Sequence, residues 1–136
     1  MSIDKNKDLG FRIIYDFINK NDPVAADDMF ADDFVNHSPS LGVSPDREGL
    51  KQMIGLLHTA FPDYHMDVED LIAEGDKVAL RMRASGTHKG PLLGFEPTGK
   101  SIDTIMISIV RIQDLKVKER WNVTNELDFM RQLGFM

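Results

Sequence analysis

Hydrophobic residues recur at helical spacing through the first sixty positions and at a spacing of two thereafter. Leu9 to Lys20 carries Phe11, Ile14, Phe17 and Ile18 on one stripe, which Asn21-Asp22-Pro23 ends. Pro23 suits the first turn of a second, short helix running through Met29 and Phe30. Phe34-Val35-Asn36-His37 reads as a short strand entering a loop from Ser38 to Asp46. A third helix, from Arg47 to about Ala60, aligns Leu50, Ile54, Leu57 and Phe61, and Pro62-Asp63 closes it.

The later segments alternate. Tyr64 to Ala73 predicts a strand, Glu74-Gly75-Asp76-Lys77 a hairpin turn, and Val78, Leu80, Met82 and Ala84 the buried face of the next strand. Lys100 to Ile112 predicts a third long strand that is apolar on both sides, Ile102, Met106 and Val110 opposing Ile105, Ile107 and Ile109. A second buried face exceeds what one small domain covers, so a homodimer is expected. Leu115 to Val123 is the fourth strand, and Asn125 to Leu133 a closing helix stopped by Gly134. Helices followed by strands indicate a single α+β domain over residues 1–136, its helices packed on one face of an antiparallel meander.

Composition narrows the chemistry. A chain of 136 residues suits one domain that buries roughly two-thirds of its unfolded surface. With no cysteine there are no disulfides, thiolate nucleophiles or cysteine-held metals. A formal charge of -6 opposes a nucleic-acid partner. No secretion signal or membrane span is evident, which points to the cytoplasm. Eight Met and eight Phe suggest an adaptable interior able to line a pocket for a small hydrophobic ligand.

Gly94-Phe95-Glu96-Pro97-Thr98-Gly99-Lys100-Ser101 spells a P-loop but lacks its setting. The residues after Lys100 are β-branched and extended, whereas phosphate binding needs a helix N-terminus there. A nucleotide site is therefore rejected.

On the fourth strand Leu115, Val117, Glu119, Trp121 and Val123 share one face, and Lys116, Lys118, Arg120, Asn122 and Thr124 the other. The basic set marks the solvent side, so the first set is expected to point inward. Glu119 would then be a carboxylate with a raised pKa, suited to general acid or base work; the alternative is an ion pair with an Arg on the adjacent strand. Asn125 continues the inward parity, or else caps the last helix, as Asp128 three residues on suggests. His88 ends the inward parity of its strand and either moves a proton or is satisfied by backbone. His37 ends the first strand, toward the same interior. Histidine spacing offers no metal site, and no serine sits in a nucleophile elbow.

The segments Phe34-Val35-Asn36-His37, Phe61-Pro62-Asp63, Glu69-Asp70-Leu71-Ile72-Ala73-Glu74-Gly75-Asp76-Lys77-Val78, Gly86-Thr87-His88, Pro97-Thr98-Gly99-Lys100, Glu119-Arg120-Trp121 and Arg131-Gln132-Leu133-Gly134 follow in order. Together they resemble the SnoaL-like polyketide cyclase (ester cyclase) family of the nuclear-transport-factor-2-like superfamily, over nearly the whole chain from about Tyr15. The resemblance implies a cone-shaped, curved sheet wrapped by the N-terminal helices around a deep apolar pocket. It also implies intramolecular aldol cyclisation, or a related isomerase or lyase step, on a hydrophobic cyclic substrate, with neither cofactor nor metal. By motif, His88, His37 and Trp121 would be pocket residues, with Met106 and Tyr15 completing the substrate-contacting set. The family often places a proton-transferring Asp four residues after that Trp. Here the position is Asn125, and an amide cannot serve as a base. Either Glu119 or His88 then takes the proton, or the chain is a non-catalytic small-molecule binding module.

Overall fold

The computed structural model describes residues 3–136. Its elements run α1 (Ile3–Arg12), a π-helical turn (Ile13–Ile18), α2 (Pro23–Met29), β1 (Phe30–Asn36), α3 (Arg47–Ala60), β2 (His65–Glu74), β3 (Lys77–Thr87), β4 (Ser101–Gln113), β5 (Lys116–Thr124) and α4 (Glu126–Leu133). The strands form one curved sheet in the order β1-β5-β4-β3-β2. All neighbours are antiparallel except β1, which lies parallel to β5. The α+β class holds, and β1 extends the meander by pairing with the last strand. α1 packs on β2 and β3, α3 on β1, and α4 on β4.

Side-chain caps start the helices where the sequence places them. Asp22 accepts from Val24 N at 3.0 Å and Ala25 N at 3.3 Å, with Pro23 in the first turn of α2. Asp46 accepts from Gly49 N at 2.8 Å to open α3. The first helix departs from its expected stripe. The π-helical turn widens the backbone so that Ile13, Ile14 and Phe17 all face the core with Leu9, while Phe11 is left outside.

That widened turn also covers a sheet edge. The Tyr15 hydroxyl accepts from Val68 N at 3.0 Å. Asn19 accepts from Met66 N at 2.8 Å and donates to Met66 O at 2.9 Å. Side chains thus supply the hydrogen bonds a neighbouring strand would have made, which blunts the β2 edge. Tyr15, expected against a substrate, is committed to this edge instead.

The largest departure is in β5. Asp114 and Leu115 both have positive φ (53° and 60°) and form the β4–β5 turn, so the strand begins at Lys116 and not Leu115. Arg111 then pairs with Glu119 but Ile112 with Val117, leaving Lys118 as an extra residue in the ladder. This β-bulge reverses the side-chain parity beyond it. Val117 is fully buried, but from there onward Arg120, Asn122 and Thr124 point inward. Glu119, Trp121 and Val123 lie outside, opposite Arg111, Ile109 and Ile107. The expected inward placement of Glu119 and Trp121 is therefore reversed. Strict alternation in a sequence cannot reveal where one residue is skipped.

The two-faced character of β4 holds. Ile102, Thr104, Val110 and Ile112 are buried, whereas Ile105, Ile107 and Ile109 stand exposed on the outer face beside Trp121 and Val123. The rejected P-loop is a loop leading into β4, with no helix after it. Among the described residues no helix is long and apolar enough to cross a membrane.

The loop after β3 touches the end of α3 backbone to backbone. Lys89 N and Gly90 N both donate to Ala60 O at 3.0 Å, and a Cβ on Gly90 would lie 2.0 Å from Thr59 O. Gly90→Ala must displace that loop. Thermal unfolding should show a loss of about 2–4 kcal/mol, a midpoint lower by roughly 5–15 °C.

Candidate functional site

Between the concave face of the sheet and the helices lies a cavity of about 390 Å³. Ile13, Ile14 and Ile18 of the π-helical turn form one wall, and Leu50, Met53, Ile54 and Leu57 of α3 another. Leu80, Met82, Met106 and Val110 floor it from the sheet. The Met surplus thus serves partly as pocket wall, where a flexible thioether adapts to ligand shape. Met106 is the one expected substrate-contacting residue found on this surface.

Polar groups reach the cavity chiefly from the sheet beyond the bulge. Ser108 donates to Asn122 Oδ1, and Asn122 Nδ2 donates to Thr124 Oγ1 at 3.0 Å, so this row satisfies itself. Among the described residues, two ionised side chains line the cavity, Arg120 and Glu126. Arg120 Nη1 donates to Asn36 Oδ1 at 3.1 Å, and among the described residues the guanidinium has no carboxylate partner. Burial pushes its pKa down from 12.5 to about 10. That corresponds to roughly 3 kcal/mol of disfavoured charge, yet Arg120 remains a cation at neutral pH. Tyr64 also lines the cavity, and burial pushes its phenol from 10.0 up to about 12, so it stays a neutral O–H donor. Glu126 is exposed at the first position of α4.

The other expected site residues are placed elsewhere. Glu119 binds Arg111 Nε on the adjacent strand and lies 2.8 Å from His37 Nε2. Those two bonds hold its carboxyl below the usual range, the opposite of the raised pKa expected for an inward carboxylate. His37 stacks on Trp121, ring centroids 4.9 Å apart and 10° from parallel, so both rings belong to the outer face. His88 is fully buried but does not line the cavity. Thr98 N donates to its Nδ1 at 3.1 Å, which puts the proton of the neutral ring on Nε2. Nε2 is buried without a partner among the described residues, and the ring packs between Phe61 and Phe135. Asn125 caps α4 by accepting from Asp128 N at 3.1 Å. No group of three or more His, Asp or Glu among the described residues is gathered as a metal would need.

Comparison with known proteins agrees with this frame. The model of the SnoaL-like polyketide cyclase family matches residues 10–133. The chain belongs to that family. Among solved structures, TsrD from Streptomyces laurentii superposes with a TM-score of 0.89 at 26% identity, over 100% of this chain and 99% of that one. IdmH from Streptomyces antibioticus, a candidate polyketide cyclase, gives 0.83 at 29% identity, over 95% and 98%. AclR from Streptomyces galilaeus, a candidate hydroxylase, gives 0.86 at 29%, over 99% and 84%. No curated protein matches the sequence. One frame thus carries differently named activities, and the choice rests on the cavity.

Sequence reasoning missed Arg120, Glu126 and Tyr64. One signal was available for Arg120: β4 already offered an outer apolar face, and Trp121 and Val123 match it better than they match the interior.

Taking a lone charge out of a buried site removes its desolvation penalty. Ligand-free Arg120→Met should therefore be as stable as the parent or more so, by up to ~2 kcal/mol in chemical denaturation. A loss of that size would make Arg120 a structural residue.

Proposed function

We propose that this chain performs cofactor-free acid–base ring closure, of the aldol type, on a hydrophobic cyclic or polyketide-like substrate held in the cavity. Family membership supports the reaction class. The observation that carries the reading is an apolar cavity bearing one carboxylate and one unneutralised cation. In this reaction Glu126 takes the proton from the carbon next to a substrate carbonyl, leaving an enolate. The enolate carbon attacks a second carbonyl, forming the new C–C bond, and the resulting alkoxide regains a proton from the Glu126 carboxyl. Arg120 and the Tyr64 hydroxyl donate to the oxygen on which charge develops. The carboxylate that the family often has at position 125 is thus supplied one residue later.

Turnover of an aromatic polyketide panel, as methyl esters and as free acids, tests this by chromatography. Glu126→Gln should slow ring closure by roughly 10²–10⁴-fold. Asn125→Asp, which keeps the helix cap, should change the rate by less than about threefold. The amide at Asn125 favours a second reading, a binding module without turnover. Parent protein that is inert while Asn125→Asp is active would establish it.

The exposed Ile105, Ile107, Ile109, Trp121 and Val123 are proposed to pair two copies of the chain. Light scattering at micromolar concentration should give twice the chain mass, and Ile107→Lys should give monomer. A monomeric parent contradicts the pairing.

A further inference from the structure

The lone cation of the cavity specifies its ligand more narrowly than its apolar walls do. On β5 and the strand beside it, the other basic residues are all engaged. Lys116 reaches the Asp28 carbonyl, Lys118 pairs with Asp33 at 2.9 Å, and Arg111 binds Glu119. Arg120 has no anionic partner among the described residues, although the chain carries 22 acidic residues against 16 basic ones. Its single protein acceptor, Asn36 Oδ1, also takes Ser38 N at 3.0 Å.

The surroundings of Arg120 are rich in donors and poor in acceptors. Asn36 is itself buried, and its Nδ2 has no acceptor among the described residues. Tyr64 lines the same cavity, and its hydroxyl makes no hydrogen bond among the described residues. The polar row of Ser108, Asn122 and Thr124 is occupied with itself and offers Arg120 nothing. A neutral keto oxygen would answer one donor and leave the charge uncompensated. A carboxylate answers the charge and fits the planar fork of the guanidinium with two parallel bonds. Glu126 makes no ion pair with Arg120 and would repel a ligand carboxylate, which leaves Arg120 as the seat for that group.

We propose that the cavity takes an apolar, ring-bearing carboxylic acid, its carboxylate seated on two N–H groups of Arg120, which leaves the Tyr64 hydroxyl and the remaining guanidinium N–H groups for the oxygen on which charge develops. This rests on the cavity being the ligand site, and not on turnover.

Calorimetric titration of the full chain at pH 7 with 2-naphthoic acid and with methyl 2-naphthoate tests it, since the pair shares one ring system and differs in charge. The acid should bind at least tenfold more tightly than the ester. Arg120→Met, or Arg120→Gln should the first fail to fold, should abolish the acid's advantage over the ester. Equal binding of acid and ester by the parent overturns the carboxylate assignment but leaves the cavity as the ligand site. An acid preference that survives removal of Arg120 overturns the role of that residue. Binding of neither compound overturns the cavity reading as well.

Discussion

One residue without a ladder partner on β4, Lys118, decides which side chains of β5 this protein's interior contains. Were β5 in regular register with β4, Glu119, Trp121 and Val123 would enter the cavity and the basic and amide residues would meet solvent. The bulge exchanges the two sets after Val117. The interior gains a cation, an amide and a hydroxyl, and the outer face gains a tryptophan beside three isoleucines. Bulges commonly serve to re-aim side chains near functional sites, and the chemistry available in the cavity follows from this one.

The exchange has a cost on each side of the sheet. Inside, Arg120 sits where its charge is disfavoured, a penalty the fold carries with no internal counter-charge among the described residues. Outside, the Arg111–Glu119–His37 chain of contacts compensates charges within an otherwise apolar strip, with the stacked Trp121 ring alongside. The Glu119 carboxylate is thereby tied up, while Glu126 at the start of α4 makes no hydrogen bond or ion pair among the described residues and borders the cavity.

Much of the architecture was legible because periodicity, caps and turns agree with it. The change from helical to alternating spacing after Pro62, the helix opened by Pro23, the Gly75 turn and the Gly134 stop all stand in the structure. The two-faced nature of β4 was equally readable, since isoleucines fall on both parities. What escaped were departures from regular geometry: the π-helical turn that moved Phe11 outward and Tyr15 to the β2 edge, and the bulge that reversed β5. Neither changes composition or local propensity, and the bulge's one trace is that Trp121 and Val123 match the outer apolar face of β4. The site suffered most, because Glu119, Trp121 and His37 were assigned through β5 parity or by motif. His88 was read correctly as inward, but its ring is engaged by Thr98 and sits behind the cavity wall.

The parity of β5 beyond Lys118 is the claim on which the rest depends, and the chain's single Trp makes it directly measurable. In a nuclear Overhauser spectrum of isotopically labelled protein, the Trp121 indole should show cross-peaks to the His37 ring and the Ile109 methyls, and none to Leu80 or Met82. Cross-peaks from that indole to the cavity floor would contradict the bulge, and with it the inward placement of Arg120.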